Sequence, residues 1–199
     1  MSTENGTANG PGPAAAGENG GLGLHVGFQI PADLDPALLP VAFLIGRWVG
    51  VGLGQYPTIG DFRFGQEVTF GYVPGKTFLD YDSKSWLIDE DGAKIRPLAR
   101  EHGYWRPQPP EREGGPRRLE VLLSHPTGIV EVWQGELDGA KIELHTDAVA
   151  RTATAKEYSG GHRLYGLVKG DLYWTFDMAA MGLPLQNHLA AQLKRDTAS

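Results

Sequence analysis

Residues 129–151 read IVEVWQGELDGAKIELHTDAVAR, and they carry the clearest structural signal of the chain. Two runs that alternate apolar and polar side chains, Ile129–Leu137 and Lys141–Arg151, flank the pair Asp138-Gly139. Alternation with a period of two is typical of a β-strand with one buried face. An Asp-Gly pair favours the tight turn that joins two antiparallel strands. The stretch therefore predicts a β-hairpin.

The same alternation continues on both sides of this hairpin. Turn signals such as Pro74-Gly75, Asp91-Gly92, Gly160-Gly161 and Gly170-Asp171 separate the runs. Eight further strands are predicted at Arg47–Gly54, Phe64–Val73, Thr77–Leu87, Leu98–Arg106, Arg117–Ser124, Arg163–Val168, Leu172–Ala179 and Leu185–Lys194.

Ten strands joined mostly by tight turns predict an all-β fold, a ten-stranded antiparallel up-and-down β-barrel. Closing the sheet removes its exposed edges. A barrel of this size can enclose a ligand, so a pocket-bearing binding protein is the first expectation. A short helix is predicted before the first strand, at Pro36–Leu44, with Pro40 limiting its length.

Residues 1–25 form a compositionally distinct segment of Gly, Ala, Asn and Pro with almost no bulky apolar side chain. Such a segment buries too little surface to offset the entropy lost on ordering. We therefore expect a disordered tail at residues 1–25 and a single barrel domain at residues 26–199.

Composition excludes several classes of site and partner. The 199 residues contain no cysteine, which rules out disulfides, thiolate metal sites, thiolate-ligated haem and covalent c-type haem. The net charge of −6 argues against nucleic acid and acidic membranes as partners. No apolar run reaches the roughly 18 residues of a membrane helix, and residues 1–25 do not read as a secretory signal. A cytoplasmic location is the expectation.

A glycine-rich motif begins the first strand. Gly46, Trp48, Gly50 and Gly52 form the pattern Gly-x-Trp-x-Gly-x-Gly. The structural interpretation is that the tryptophan plugs one end of the barrel, while the glycines allow bending and close approach of backbone or ligand.

The segment Tyr56-Pro57-Thr58-Ile59 follows this motif directly. Pro57 fixes the local backbone, and Thr58 offers a short hydroxyl group. Thr58 either bonds locally in a turn or lies at the mouth of the pocket near a ligand, and spacing alone leaves both interpretations open.

His188 is the strongest candidate among six histidines for binding a metal. No acidic residue lies within five positions of it, and Leu189 and Ala190 follow it on the last predicted strand. An uncharged imidazole against an apolar wall suits a metal or a haem iron. Strand alternation predicts that Gln186, His188 and Ala190 share one face, where the alanine leaves room for a flat ligand. Structural packing is the competing explanation.

The other histidines are weaker candidates. His25 lies at the tail boundary, His125 and His162 lie beside turn signals, and His102 and His145 have charged neighbours typical of a surface.

Lys156 is a further candidate for binding a ligand. A lysine at this place is usually a solvated surface charge, but at a barrel rim it could pair with a ligand carboxylate such as a haem propionate. The chain shows no spacing typical of hydrolases, phosphate-binding loops or dinucleotide-binding proteins.

Two distant segments together resemble the nitrobindins, a family of haem-binding β-barrel proteins. They are residues 46–59, which hold the glycine-rich motif and Tyr56-Pro57-Thr58-Ile59, and residues 178–189, MAAMGLPLQNHL. Residues 127–132 and 150–157 are also similar to family segments, and the resemblance covers about residues 37–195.

The resemblance implies a barrel like that of fatty-acid-binding proteins and lipocalins, holding one haem b (iron protoporphyrin IX) per chain. It implies His188 as the axial iron ligand and Thr58 as a haem contact. With the rim argument for Lys156 added, the expected cofactor-binding residues are Thr58, Lys156 and His188, and His188 is the expected catalytic residue. The resemblance also implies a ferric resting iron, reversible binding of nitric oxide and isomerisation of peroxynitrite to nitrate. A homodimer is left open.

Two other functions use the same barrel. A carrier of haem or other apolar ligands needs no catalysis, although a fatty-acid carrier more naturally places Arg or Tyr at the base of its pocket. A nitric-oxide sensor would act through a partner, which the residue 1–25 tail permits.

Overall fold

The computed structural model describes residues 28–197, so the tail predicted at residues 1–25 lies outside the described part of the chain. No helix in residues 28–197 has the length and apolar character needed to cross a bilayer.

A 3₁₀-helix, Pro36–Leu44, precedes the strands and has the bounds predicted from sequence. Its start is set by Asp35, whose carboxylate accepts a hydrogen bond from the backbone N–H of Ala37 at 2.9 Å. Leu38, Val41 and Leu44 are completely buried. The helix therefore serves as an apolar plug.

Ten antiparallel strands follow, and the prediction of a closed barrel is confirmed. Each strand pairs with its neighbour in sequence, and β10 pairs with β1 to close the sheet. The strands are β1 (Gly46–Tyr56), β2 (Ile59–Tyr72), β3 (Leu79–Ile88), β4 (Lys94–Pro107), β5 (Arg117–His125), β6 (Ile129–Asp138), β7 (Lys141–Arg151), β8 (Tyr158–Val168), β9 (Asp171–Ala180) and β10 (Gln186–Arg195).

One predicted turn is wrong. Gly160-Gly161 lies inside β8, which begins at Tyr158, five residues earlier than the sequence indicated. The pairing of β8 with β9 shifts register between Tyr158 and Gly160, and Gly160 has a φ of +155°. The glycine pair therefore marks an irregularity within a strand and not a chain reversal.

Trp48 joins the helix to the barrel. Its indole Nε1 donates to the backbone carbonyl of Leu44 at 2.7 Å, and the guanidinium of Arg195 lies 4.2 Å from the ring centroid. The side chain is completely buried. The tryptophan and the helix therefore fill one end of the barrel together.

Gly52 shows why this strand needs glycine. A Cβ added there would lie 2.6 Å from the backbone oxygen of Ala190 and would also meet the ring of Phe64. We expect Gly52→Ala to lower the free energy of unfolding by about 1–3 kcal/mol, because the extra methyl group overpacks a closed site. Urea denaturation measures this change.

The matched control is Gly166→Ala on β8, where an added Cβ meets no atom within 4 Å. Its stability should equal or slightly exceed that of the wild type. Equal stabilities of the two variants would contradict the packing argument.

Candidate functional site

A cavity of about 430 Å³ lies at the end of the barrel where the β1–β2 turn meets the start of β10. Its wall combines apolar side chains with polar and charged ones. The lining residues are Ile59, Gly60, Phe62, Phe64, Gln66, Ser83, Ser85, Leu87, Arg96, Leu98, Ala99, Glu101, Trp174, His188 and Leu189.

A β-bulge places His188 in this cavity. Asn187 pairs with Asp177 and Leu189 pairs with Phe176, so His188 is the extra residue of β10. A bulge breaks the alternation of side chains. For this reason His188 and Leu189 both line the cavity, although they are consecutive.

The predicted shared face of Gln186, His188 and Ala190 is therefore wrong. Ala190 pairs with Leu53, whose side chain is 65% exposed on the outside of the barrel. Room in the cavity comes from small residues on other strands, among them Ser83 and Ala99.

The backbone of β1 fixes the orientation of the His188 ring. Nδ1 lies 2.8 Å from the carbonyl oxygen of Gln55. Because a carbonyl oxygen can only accept, Nδ1 carries the proton and Nε2 keeps its lone pair. Burial lowers the pKa of His188, while the bond to Gln55 opposes that shift. A neutral imidazole with a basic Nε2 is the form that ligates metals.

Three aromatic rings surround the imidazole and limit its movement. The ring centroid of His188 lies 5.4 Å from that of Tyr56, 6.0 Å from Phe176 and 6.4 Å from Phe62. The Tyr56 hydroxyl is 3.0 Å from both the N–H and the carbonyl oxygen of Ala180, accepting from the first and donating to the second. Tyr56 thus links β1 to β9 beside the bulge.

Thr58 and Lys156 lie at the same end of the barrel as the cavity. Thr58 is exposed in the β1–β2 turn, directly before the lining residues Ile59 and Gly60. Lys156 is exposed in the loop between β7 and β8, where its backbone oxygen accepts from Arg151 at 3.1 Å. Neither side chain belongs to the cavity wall.

Arg96 is a cation that sequence reasoning missed. It is exposed on β4 and lines the cavity, which Lys156 does not. Arg96 lay outside the predicted strand, because β4 begins at Lys94 and the predicted strand began at Leu98.

Glu101 lines the cavity and forms a buried ion pair with Arg163, and sequence reasoning also missed this pair. Arg163 Nη2 and Nη1 donate to the two carboxylate oxygens of Glu101 at 2.6 and 2.9 Å. Burial alone would raise the pKa of Glu101, but the guanidinium outweighs it and holds the pKa at about 2. Strand alternation could have revealed both residues, because each lies two positions from an inward-facing residue, Gly103 or Tyr165.

The other histidines in residues 28–197 do not line this cavity. His125 Nε2 lies 2.6 Å from the buried carboxylate of Glu131. His102 and His145 are exposed, as predicted, and His162 is half-buried on β8. Only His188 among the described histidines presents an imidazole to the cavity.

Comparison with known proteins identifies close relatives over the whole barrel. Residues 37–195 match the family model described as "THAP4-like, heme-binding beta-barrel domain". A protein of Nocardioides sp. named peroxynitrite isomerase is 52% identical over 168 residues, covering 84% of this chain and 98% of the relative. A ferric nitrobindin-like protein of Kineococcus radiotolerans is 51% identical over 172 residues, covering 82% and 95%.

A solved structure shows the same architecture. The crystal structure of Rv2717c from M. tuberculosis superposes with a TM-score of 0.70 at 38% sequence identity. The match covers 82% of this chain and 99% of that one.

Proposed function

The chain belongs to the family of THAP4-like, heme-binding beta-barrel domains, and from this premise we propose that it is a haem b protein that isomerises peroxynitrite to nitrate. His188 is the axial ligand of the iron and the catalytic residue in this proposal. The observation that carries it is the neutral imidazole of His188, fixed by Gln55 with Nε2 free, on the wall of an open cavity.

The residues of the cavity fit a haem. Phe62, Phe64 and Leu189 offer apolar surface to a flat ring beside the imidazole. Arg96 places a positive charge on the wall, where it can pair with a propionate. Because the chain has no cysteine, a covalent thioether link is impossible, which favours haem b. One histidine on the wall supports one haem per chain.

Thr58 and Lys156 are proposed to bind the cofactor from the rim. Both lie in exposed segments at the cavity end of the barrel, Thr58 next to two lining residues. Their side chains offer a hydroxyl group and an ammonium group to the solvent-facing edge of the ring.

When bound, the haem would supply the iron chemistry for reversible binding of nitric oxide and for the rearrangement of peroxynitrite. The protein's part is to hold the ring and to shield the site. The apolar side chains Phe62, Phe64 and Leu98 exclude water from the cavity wall.

No proton donor is required by this reaction, because peroxynitrite and nitrate have the same atoms and charge. The titratable groups at the cavity are consistent with a reaction that needs no proton donor. The one carboxylate among the lining residues, Glu101, is ionised at neutral pH because its pKa is held at about 2. The proton on His188 Nδ1 is engaged with Gln55.

The test is stopped-flow measurement of peroxynitrite decay with the full chain loaded with ferric haem. We expect faster decay in proportion to protein concentration and a larger share of nitrate among the products. Free ferric haem and haem-free protein at equal concentration are the controls. Decay no faster than in the free-haem control, despite a confirmed haem spectrum, would contradict the proposed activity and favour a carrier or a sensor.

A carrier of fatty acids is the second candidate, and one observation favours it. Arg163 lies inside the barrel, and its Nη1 donates to the hydroxyl oxygen of Tyr165 at 3.4 Å. An arginine beside a tyrosine is the type of pair that binds the carboxylate of a ligand. However, Glu101 already pairs with Arg163 through both oxygens. A fatty acid would have to displace a carboxylate of the chain itself, so the haem proposal is preferred.

A further inference from the structure

Three side chains on the outside of the barrel bring nitrogen and oxygen donors together, away from the cavity. Glu143 and His145 lie on β7, and His162 lies opposite His145 on β8. Their donor atoms all lie within 4.8 Å of one another. His162 Nε2 is 3.1 Å and His145 Nε2 is 3.9 Å from the same oxygen, Oε1 of Glu143.

These distances suit a small divalent cation. A tetrahedral zinc ion holds nitrogen and oxygen ligands at about 2.0–2.2 Å, so neighbouring ligand atoms lie about 3.3 Å apart. The separation of 3.1 Å between His162 and Glu143 already matches this value, and that of 3.9 Å requires a small rotation of His145. His145 has 65% of its side chain exposed. Its ring stacks on that of His162 with 4.5 Å between the centroids, so the rotation has to separate the two rings.

The second oxygen of Glu143 has its own partner. Oε2 lies 2.9 Å from Lys141 Nζ, which leaves Oε1 as the oxygen facing the two imidazoles. The carboxylate would therefore bind through one oxygen. Because two histidines and one carboxylate supply only three ligands, water would take the remaining position.

A second and independent feature lies behind His162. Its other ring nitrogen, Nδ1, is 3.4 Å from Oδ2 of Asp177 on β9. Asn187 on β10 donates to the other oxygen of Asp177 at 3.1 Å, which fixes the carboxylate. Histidines that bind metals commonly donate their second N–H to a carboxylate in this way, which sets the tautomer and strengthens the ligand.

We propose that Glu143, His145 and His162 form a surface site for a divalent transition metal of borderline softness, of which zinc is the representative. Imidazole together with a carboxylate suits zinc better than magnesium or calcium. The site lies on the outer face of β7 and β8, whereas His188 lines the inner cavity. It is therefore independent of the haem proposal.

Equilibrium dialysis of the untagged full chain against zinc chloride tests the site, with bound metal measured by mass spectrometry. We expect one zinc per chain in the wild type. His145→Ala and His162→Ala should each weaken binding at least about tenfold, and Asp177→Asn should weaken it by about 10–100-fold through the lost support of His162.

The controls separate this site from other histidines. His102→Ala removes an exposed histidine that has a single carboxylate neighbour, Asp82 at 3.7 Å, and should bind zinc as the wild type does. His188→Ala should also keep the zinc, which distinguishes the surface site from the cavity. Absence of zinc from the wild type, or equal binding by the His145→Ala and His102→Ala variants, would overturn the proposal.

Discussion

His188→Ala is expected to lower the affinity for ferric haem by more than about 100-fold. Loss of a residue that only hydrogen-bonds to a metal ligand typically costs about 10–100-fold in affinity, and loss of the ligand itself should cost more. The ring is held by Gln55 and enclosed by aromatic side chains, and no other described histidine reaches the cavity wall. Titration of the haem-free protein with haem, followed by absorbance, measures the affinity.

The matched control for this experiment is His102→Ala, since His102 is exposed on β4 and does not line the cavity. Its titration should match that of the wild type. Circular dichroism verifies that both variants keep the barrel. If His188→Ala bound haem as tightly as the control did, the assignment of the ligand would be wrong.

Glu101→Gln is expected to lower the free energy of unfolding by about 3–5 kcal/mol, because it leaves the charge of Arg163 buried without its main partner. Arg163 is 3% exposed, and its Nε has no hydrogen-bond partner among residues 28–197. Urea denaturation measures the change. Glu120→Gln is the control. It removes an ion pair with Arg106 whose side chains are 48% and 36% exposed, so it should cost at most about 1 kcal/mol.

A double substitution keeps this prediction testable even if Glu101→Gln does not fold. Glu101→Gln combined with Arg163→Met removes both charges and should recover most of the lost stability. A double variant as unstable as the single one would contradict the argument from an uncompensated charge.

The same ion pair predicts a pH dependence. The pKa of Glu101 is lowered from 4.5 to about 2 in the folded protein. Its ionised form therefore stabilises the fold above about pH 4.5, and this contribution is lost as the pH falls towards 2. The difference in stability between the wild type and Glu101→Gln should shrink over that range.

The barrel could be predicted from sequence because alternation and turn signals are local. Both strands of the Ile129–Leu137 and Lys141–Arg151 hairpin formed almost as expected, as did the helix at Pro36–Leu44. The error at Gly160-Gly161 has a physical reason, since glycine serves both turns and strand irregularities. Only the pairing of these residues with β9 shows that they belong to a strand and not to a turn.

The candidate site was predictable in part. His188 was selected from its apolar neighbours, but the bulge that turns it inward depends on pairing with β9, which no local pattern specifies. Arg96 was missed because it lies outside the predicted strand Leu98–Arg106. Glu101 was missed because it was considered only as a charged surface neighbour of His102. The partner of Glu101, Arg163, lies 62 residues away in sequence, so their contact appears only when the barrel closes.

The central claim is that the imidazole of His188 ligates the haem iron, and chemical rescue tests it most directly. His188→Gly should bind ferric haem weakly and give a spectrum unlike that of the wild type. Added imidazole should enter the space left by the side chain and restore the wild-type Soret band. A wild-type spectrum in His188→Gly without imidazole would contradict the claim.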